Sequence, residues 1–208
     1  IADKYKVIWN GIKKTDLRLN EKTNKEITIS LIGRLSYWKG QKFLLKTASQ
    51  LVNEKIINIK INIVGSAHKS QPIILEDLQN YSKKLNIEEY VNFISYTEKI
   101  SDIYENSDII VIPSIEPEPF GLVAIEGMSF KKPIIAADHG GVTEIVKNYE
   151  TGFLFKANNI DDFKNALIKL IKNKELRISM GIKGFERYEK NFTVDVYINK
   201  LREVLSII

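Results

Sequence analysis

The apolar positions change period repeatedly along this chain, and each change marks an element. Five short β-branched or wholly apolar runs (26–33, 58–64, 90–94, 108–112 and 133–137) read as strands that end against glycine, proline or polar residues. Helical spacing takes over between them. Phe43, Leu44, Leu45, Ala48, Leu51 and Val52 fall on one face of a helix over 41–53. Further helices are predicted over 72–85, with Pro72 in the first turn, and over 100–105, 121–130 and 143–147. A brief strand at 151–155 and helices over 161–172, 174–189 and 194–205 complete the pattern. At the other end, 5–9 reads as a short strand before the Asn10-Gly11 turn signal, and the polar run 13–25 as a connecting loop.

Strands that alternate with helices, several of them continuous apolar runs, predict an α/β domain: a Rossmann-like parallel sheet of about six strands with helices on both faces. No internal repeat or low-complexity linker divides residues 1–208, so one domain is expected. Open sheets of this kind bind ligands beyond the carboxyl ends of their strands. There the chain places Gly33-Arg34, Gly65-Ser66, Ser95-Tyr96, residues 113–120 and residues 138–141, which points five strand ends at one crevice.

Composition narrows the chemistry. With no cysteine and only His68 and His139, disulfides, thiolate metal sites and histidine-rich metal sites are all excluded. The net charge of +5, from 31 basic and 26 acidic residues, is dispersed. It reads as a lysine-rich solvated surface rather than a nucleic-acid footprint, which needs a basic stripe with interleaved aromatics. No run approaches the ~18 apolar residues of a membrane span, and no signal-peptide pattern opens the chain, so a cytoplasmic location is the default expectation. The chain begins at Ile1 without an initiator Met and reads as a piece of a longer protein. Neither G-x-G-x-x-G, a Walker A motif nor G-x-S-x-G occurs, which argues against dehydrogenase, phosphate-loop NTPase and α/β-hydrolase chemistry. The absence of Asp-x-Asp argues against sugar transfer through a carboxylate-held metal.

The candidate chemistry is concentrated in residues 113–126, where an apolar strand enters a loop with Glu116 and Glu118 and the chain re-enters helix near Phe120-Gly121. A helix N-terminus favours phosphate, whereas flanking carboxylates favour vicinal hydroxyls, as on a ribose or sugar ring. Glu118 and Glu126 flank this helix start. Arg34 and Lys39, following the first strong strand, offer a planar fork and a point charge to one diphosphate. The 138–141 turn, Asp-His-Gly-Gly, has the shape of a phosphate cradle, although a glycine pair before a helix also serves as a tight turn, and His139 reads as a surface residue. Ser95-Tyr96 either shelters a base or packs; Trp9 and Trp38 read as structural.

Together these residues resemble the C-terminal, nucleotide-sugar donor-binding domain of a retaining glycosyltransferase of GT-B fold, the group 1 or GT4 family. The resemblance spans nearly the whole chain. Its most specific element is the E-x7-E motif from Glu118 to Glu126, supported by Gly33-Arg34, Lys39-Gly40, Val64-Gly65, Pro113-Ser114 and Gly140-Gly141. The chain departs from the family pattern at Gly127, where alanine is usual, at Lys131-Lys132, which replaces the glycine before Pro133, and at 65–68, which lacks a second glycine.

The resemblance implies that Arg34 and Lys39 bind the diphosphate, Glu126 the ribose hydroxyls and Glu118 a hydroxyl of the transferred sugar. It places the backbone amides of Phe120, Gly121, Leu122 and Val123 against sugar and phosphate, Gly33 beside them, and Ser95-Tyr96 against the base. It further implies a UDP-, GDP- or ADP-sugar donor, no metal and no other cofactor. Residues 1–25 become an interdomain segment and residues 193–208 a C-terminal helix that packs on an N-terminal domain. That domain would meet a glycan or lipid-linked glycan acceptor in surface polysaccharide or glycolipid assembly, with peripheral attachment to the inner membrane face. The donor domain alone is expected to bind nucleotide without transferring sugar. The alternative is a non-catalytic nucleotide-sugar-binding or regulatory module on the same fold.

Overall fold

The structure is a computed structural model and describes residues 6–14, 26–68 and 72–205. Six parallel strands form one sheet: β1 (Ile27–Ile32), β2 (Ile59–Val64), β3 (Val91–Ile94), β4 (Ile109–Ile112), β5 (Ile134–Ala137) and β6 (Gly152–Phe155). The helices are α1 (Gln41–Asn53), α2 (Ile74–Lys84), α3 (Ile100–Asn106), α4 (Leu122–Ser129), α5 (Val142–Ile145), α6 (Ile160–Lys172), α7 (Lys174–Asn191) and α8 (Val194–Leu205). None of these is long and apolar enough to cross a membrane.

The apolar runs are buried on both faces because neighbouring residues of a strand point to opposite sides. Ile109, Val111, Ile135 and Ala137 join Leu44, Leu45 and Leu51 of α1 and Phe163 and Leu167 of α6 in one core. Ile110, Ile112, Ile134 and Ala136 join Ile125 and Met128 of α4, Tyr188 of α7 and Phe192 in the other. Asparagine side chains start the helices on the C-terminal side: Asn159 accepts from the Asp162 N–H and Asn173 from the Leu176 N–H.

The strand order is β3-β2-β1-β4-β5-β6, so it reverses between β1 and β4. The connections after these two strands leave in opposite directions and open a crevice at their carboxyl ends.

Two sequence expectations are corrected. Residues 6–9 form no strand, and Tyr5 lies outside the described residues. The segment instead docks on the α7–α8 corner. The Ile12 N–H donates to the Phe192 carbonyl at 2.9 Å, the Val194 N–H donates to the Ile12 carbonyl at 3.1 Å, and the Trp9 ring lies 5.4 Å from Phe192. Of the apolar residues that suggested a strand, Trp9 packs against this corner, whereas Val7 is exposed. Pro72 precedes α2 by two residues, outside its first turn. Most of the connecting loop over 13–25 lies outside the described residues, as do residues 206–208. Helix α8 carries no buried residue, and Leu205 is 60% exposed.

Candidate functional site

Beyond β1, the Gly33 N–H donates to the Val64 carbonyl and Gln41 Nε2 donates to the Arg34 carbonyl, which fixes the path of the loop. One turn of 3-10 helix, Tyr37–Lys39, ends at Gly40 with φ at 79°. A Cβ there would lie 1.9 Å from the Pro113 carbonyl oxygen, so glycine is required both by conformation and by contact. The Ile115 N–H donates to the Trp38 carbonyl at 2.8 Å. These main-chain contacts bring Lys39, from the loop after β1, against the loop after β4.

The result is a compact charged cluster. Lys39 Nζ donates to Glu118 Oε1 at 2.7 Å and to Oε2 at 2.9 Å, and Ser114 Oγ donates to Oε2 at 2.9 Å. Glu118 is buried, so its charge depends on these donors. Lys39 Nζ also lies 4.4 Å from the centre of the Trp38 ring, which gives a residue read as structural a face on the cluster.

A third loop, after β5, holds the carboxylate loop from the other side. The Gly141 N–H donates to the Glu118 carbonyl at 2.7 Å. Gly140, with φ at 71°, comes so close that a Cβ would sit 2.3 Å from that oxygen. The two glycines read as a phosphate cradle therefore serve a close approach of two loops. His139 is half-buried rather than a surface residue, with Nε2 2.9 Å from the Ser114 carbonyl oxygen.

Helix α4 begins after Gly121, so Glu126 is its fifth residue and stands about one turn inside. The first turn of a helix presents N–H groups without intrahelical partners, and here they belong to the stretch that includes Leu122 and Val123. The Tyr104 hydroxyl donates to Glu126 Oε2. Tyr104 is buried and its ring stacks on Phe130 at 5.1 Å. Burial pushes the Glu126 carboxyl above the usual range, and the Tyr104 bond acts in the opposite direction. Burial and then the Glu126 charge hold the Tyr104 hydroxyl well above its ordinary pKa, which keeps the proton on Tyr104. Nothing in the sequence singles this residue out: a lone tyrosine in a seven-residue helix looks like any core aromatic.

A cleft of about 560 Å³ opens between the β1, β2 and β3 ends and α4. Gly33, Arg34, Tyr96, Val123 and Glu126 line it, together with Glu98. Arg34 is exposed, and its guanidinium has no hydrogen bond or ion pair among the described residues. Tyr96 is 76% exposed and does not pack; its N–H donates to Ser66 Oγ at 3.1 Å. A smaller recess beside the cleft is lined by Lys39, Ser114, Glu118 and Gly121 and shares Ile32 and Val123 with it. Ser95, Phe120 and Leu122 line neither. The cleft thus sets a free guanidinium and a helix start near a carboxylate, a combination that can hold a polyanion and a diol together.

The profile of the family described as glycosyl transferases group 1 matches residues 13–187. A glycosyltransferase of Haemophilus influenzae, itself uncharacterised, is 40% identical over 158 residues, 76% of this chain and 43% of that protein. A D-inositol 3-phosphate glycosyltransferase of Rhodococcus erythropolis is 33% identical over 152 residues, 70% of this chain and 34% of that protein. Among solved structures, Anabaena HepE in complex with UDP superposes with a TM-score of 0.83 at 25% identity, covering 88% of this chain and 50% of HepE. HepE has also been solved with UDP-glucose. The chain spans half or less of the length of each of these proteins. With the family profile covering most of its length and a six-stranded sheet of matching architecture, the chain belongs to the group 1 glycosyltransferases.

Proposed function

We propose that this chain is the donor-binding half of a retaining, metal-independent glycosyltransferase that takes a sugar from a nucleoside diphosphate. The observation that carries the reading is the arrangement around one crevice: Arg34 and Glu126 line the cleft, and Lys39 and Glu118 line the recess that adjoins it. Each of the two adjoining recesses therefore holds one cation and one carboxylate, the groups that the diphosphate and the hydroxyls of a nucleotide sugar require. The UDP and UDP-glucose complexes of HepE support a nucleotide-sugar donor.

On this reading Arg34, Lys39 and the first-turn amides of α4 bind the diphosphate. Glu126 accepts from the ribose hydroxyls, Glu118 from a hydroxyl of the transferred sugar, and the 95–96 loop covers the base. The acceptor hydroxyl oxygen attacks the anomeric carbon on the face from which the phosphate departs. The bond from that carbon to the phosphate oxygen breaks, its electron pair stays on the oxygen, and the acceptor proton moves to the same oxygen. Negative charge grows on the diphosphate as this happens, and preplaced cations are most effective where charge develops. A second, Rossmann-like half meets the acceptor, a glycan or lipid-linked glycan of surface assembly at the inner membrane face, and packs against α8.

Titration calorimetry with UDP, GDP, ADP and their sugars tests the reading. One nucleotide is expected to bind, and Arg34→Ala weakens it by about ten- to a hundredfold, the worth of a charge-assisted contact. Failure of all three nucleotides to bind, or unchanged affinity in Arg34→Ala, overturns it.

A further inference from the structure

Tyr104 belongs to no recess lining, yet it makes the hydrogen bond that fixes Glu126 in the cleft. Three observations set it apart from an ordinary core tyrosine. Its side chain is 1% exposed, so its hydroxyl has no water to turn to. Its ring lies nearly parallel to Phe130, at 10° and 5.1 Å, which limits the direction in which the hydroxyl can point. The partner is a partly exposed carboxylate that lines the cleft.

We propose that Tyr104 is a positioning residue for ribose recognition, holding Glu126 Oε2 so that Oε1 faces the cleft ready to accept from the ribose hydroxyls. This rests on the reading of Glu126 as the ribose acceptor. The terminal torsion of a glutamate is broad, and an untethered carboxylate samples many orientations in an open groove. A diol needs one of them. Ser30 Oγ and Ser107 Oγ, 2.6 Å apart, make a buried pair between the middle of β1 and the end of α3. Ser107 Oγ also bonds the Ile103 carbonyl at 2.6 Å. The short helix that carries Tyr104 is thus tied to the sheet next to the residue it presents.

The test measures, in the full-length protein, the affinities of UDP, GDP and ADP and of the 2′,3′-dideoxy form of each. The wild type is expected to prefer the ribonucleotide that it binds over its dideoxy form, and Glu126→Gln to lose most of that preference. Tyr104→Phe keeps the ring stack and removes only the donor. It is expected to reduce the ribo-to-dideoxy ratio by about tenfold, the worth of one hydrogen bond to a charged group, while leaving the dideoxy affinity unchanged. In the Glu126→Gln background the same change is expected to have no further effect on the ratio. A defect in packing alone would weaken both forms equally and leave the ratio where it was.

A wild-type ratio in Tyr104→Phe, with a reduced ratio in Glu126→Gln, overturns the inference and leaves the ribose role standing. A wild-type ratio in both overturns the ribose role and the inference with it. Should Tyr104→Phe fail to fold, Phe130→Leu, which loosens the stack but keeps the hydroxyl, is expected to lower the ratio in the same direction. An unchanged ratio there overturns the inference as well.

Discussion

Lys39 grips both carboxylate oxygens of Glu118 across 79 residues of sequence, at 2.7 and 2.9 Å, with the two side chains only 16% and 10% exposed. Neither group stands alone. The lysine that is proposed to meet a diphosphate is already holding the carboxylate proposed to meet the sugar, so an arriving donor finds both at fixed positions.

That pairing makes the stability of each residue depend on the other. Lys39→Met strands a buried carboxylate and is expected to cost on the order of 2 kcal/mol. Adding Glu118→Gln is expected to return a good part of the loss, because a neutral amide tolerates the site. Urea unfolding of the two single variants and the double variant measures the coupling; strictly additive costs would show that the pair contributes nothing. In the full-length protein Lys39→Met is also expected to lower kcat by about 10² to 10³.

The same substitution at two glycines should have opposite outcomes. Gly140→Ala puts a Cβ 2.3 Å from the Glu118 carbonyl oxygen at a φ of 71°, and is expected to destabilise by about 2 kcal/mol or more. Gly184→Ala, in α7, meets its nearest atom, Met128 Cγ, at 3.2 Å, and gains helix propensity. It is expected to be neutral to stabilising. Thermal unfolding of both variants decides the point.

Glu126 should carry a stability penalty that depends on pH. Burial raises its folded-state pKa above the unfolded value, so the folded state binds the proton more tightly. Stability is then greatest below the unfolded-state pKa and falls as pH rises from there through the raised folded-state pKa. Glu126→Gln removes the penalty. It is expected to be more stable than the wild type at pH 7, with the gain shrinking on acidification toward the ordinary carboxylate range. Denaturant midpoints of both proteins across pH 4 to 7 check this; a gain independent of pH would assign the effect to something else.

Lys131 adopts a φ of 55°, a conformation that costs a non-glycine residue about 1 kcal/mol. Lys131→Gly relieves it, at the loss of an exposed contact in which Lys131 Nζ lies 5.0 Å from the Phe185 ring. A rise in Tm of about 2 °C is expected by calorimetry.

Most of the fold was legible, because strands buried on both faces and helices with one apolar face leave different periods in the sequence. The helix over 41–53 was read with its observed ends. The N-terminal strand over 5–9 failed because a short, partly apolar run packs on helices as readily as on a sheet edge, and here Trp9 found Phe192 between α7 and α8. The crevice was legible for the same reason as the strands: in a parallel sheet the carboxyl ends lie together. Partnerships within it were not. The bonds from Tyr104 to Glu126 and from Lys39 to Glu118 depend on where segments 22 and 79 residues apart are brought together. The departures from the family pattern do have local causes. At Gly127 a Cβ would meet Ile134 Cδ1 at 2.7 Å, so the isoleucine of β5 occupies the space that an alanine would need. Lys131 takes, at some strain, the left-handed turn that a glycine would take freely.

The loops around the crevice meet main chain to main chain: Gly40 against Pro113, Gly65 against Gly33, and Gly140 against Glu118. A frame joined in this way takes its shape from peptide groups, which every sequence possesses, and not from the particular side chains it displays. Tyr96 and Glu98, which line the cleft, can therefore be exchanged while the frame beneath them stays in register.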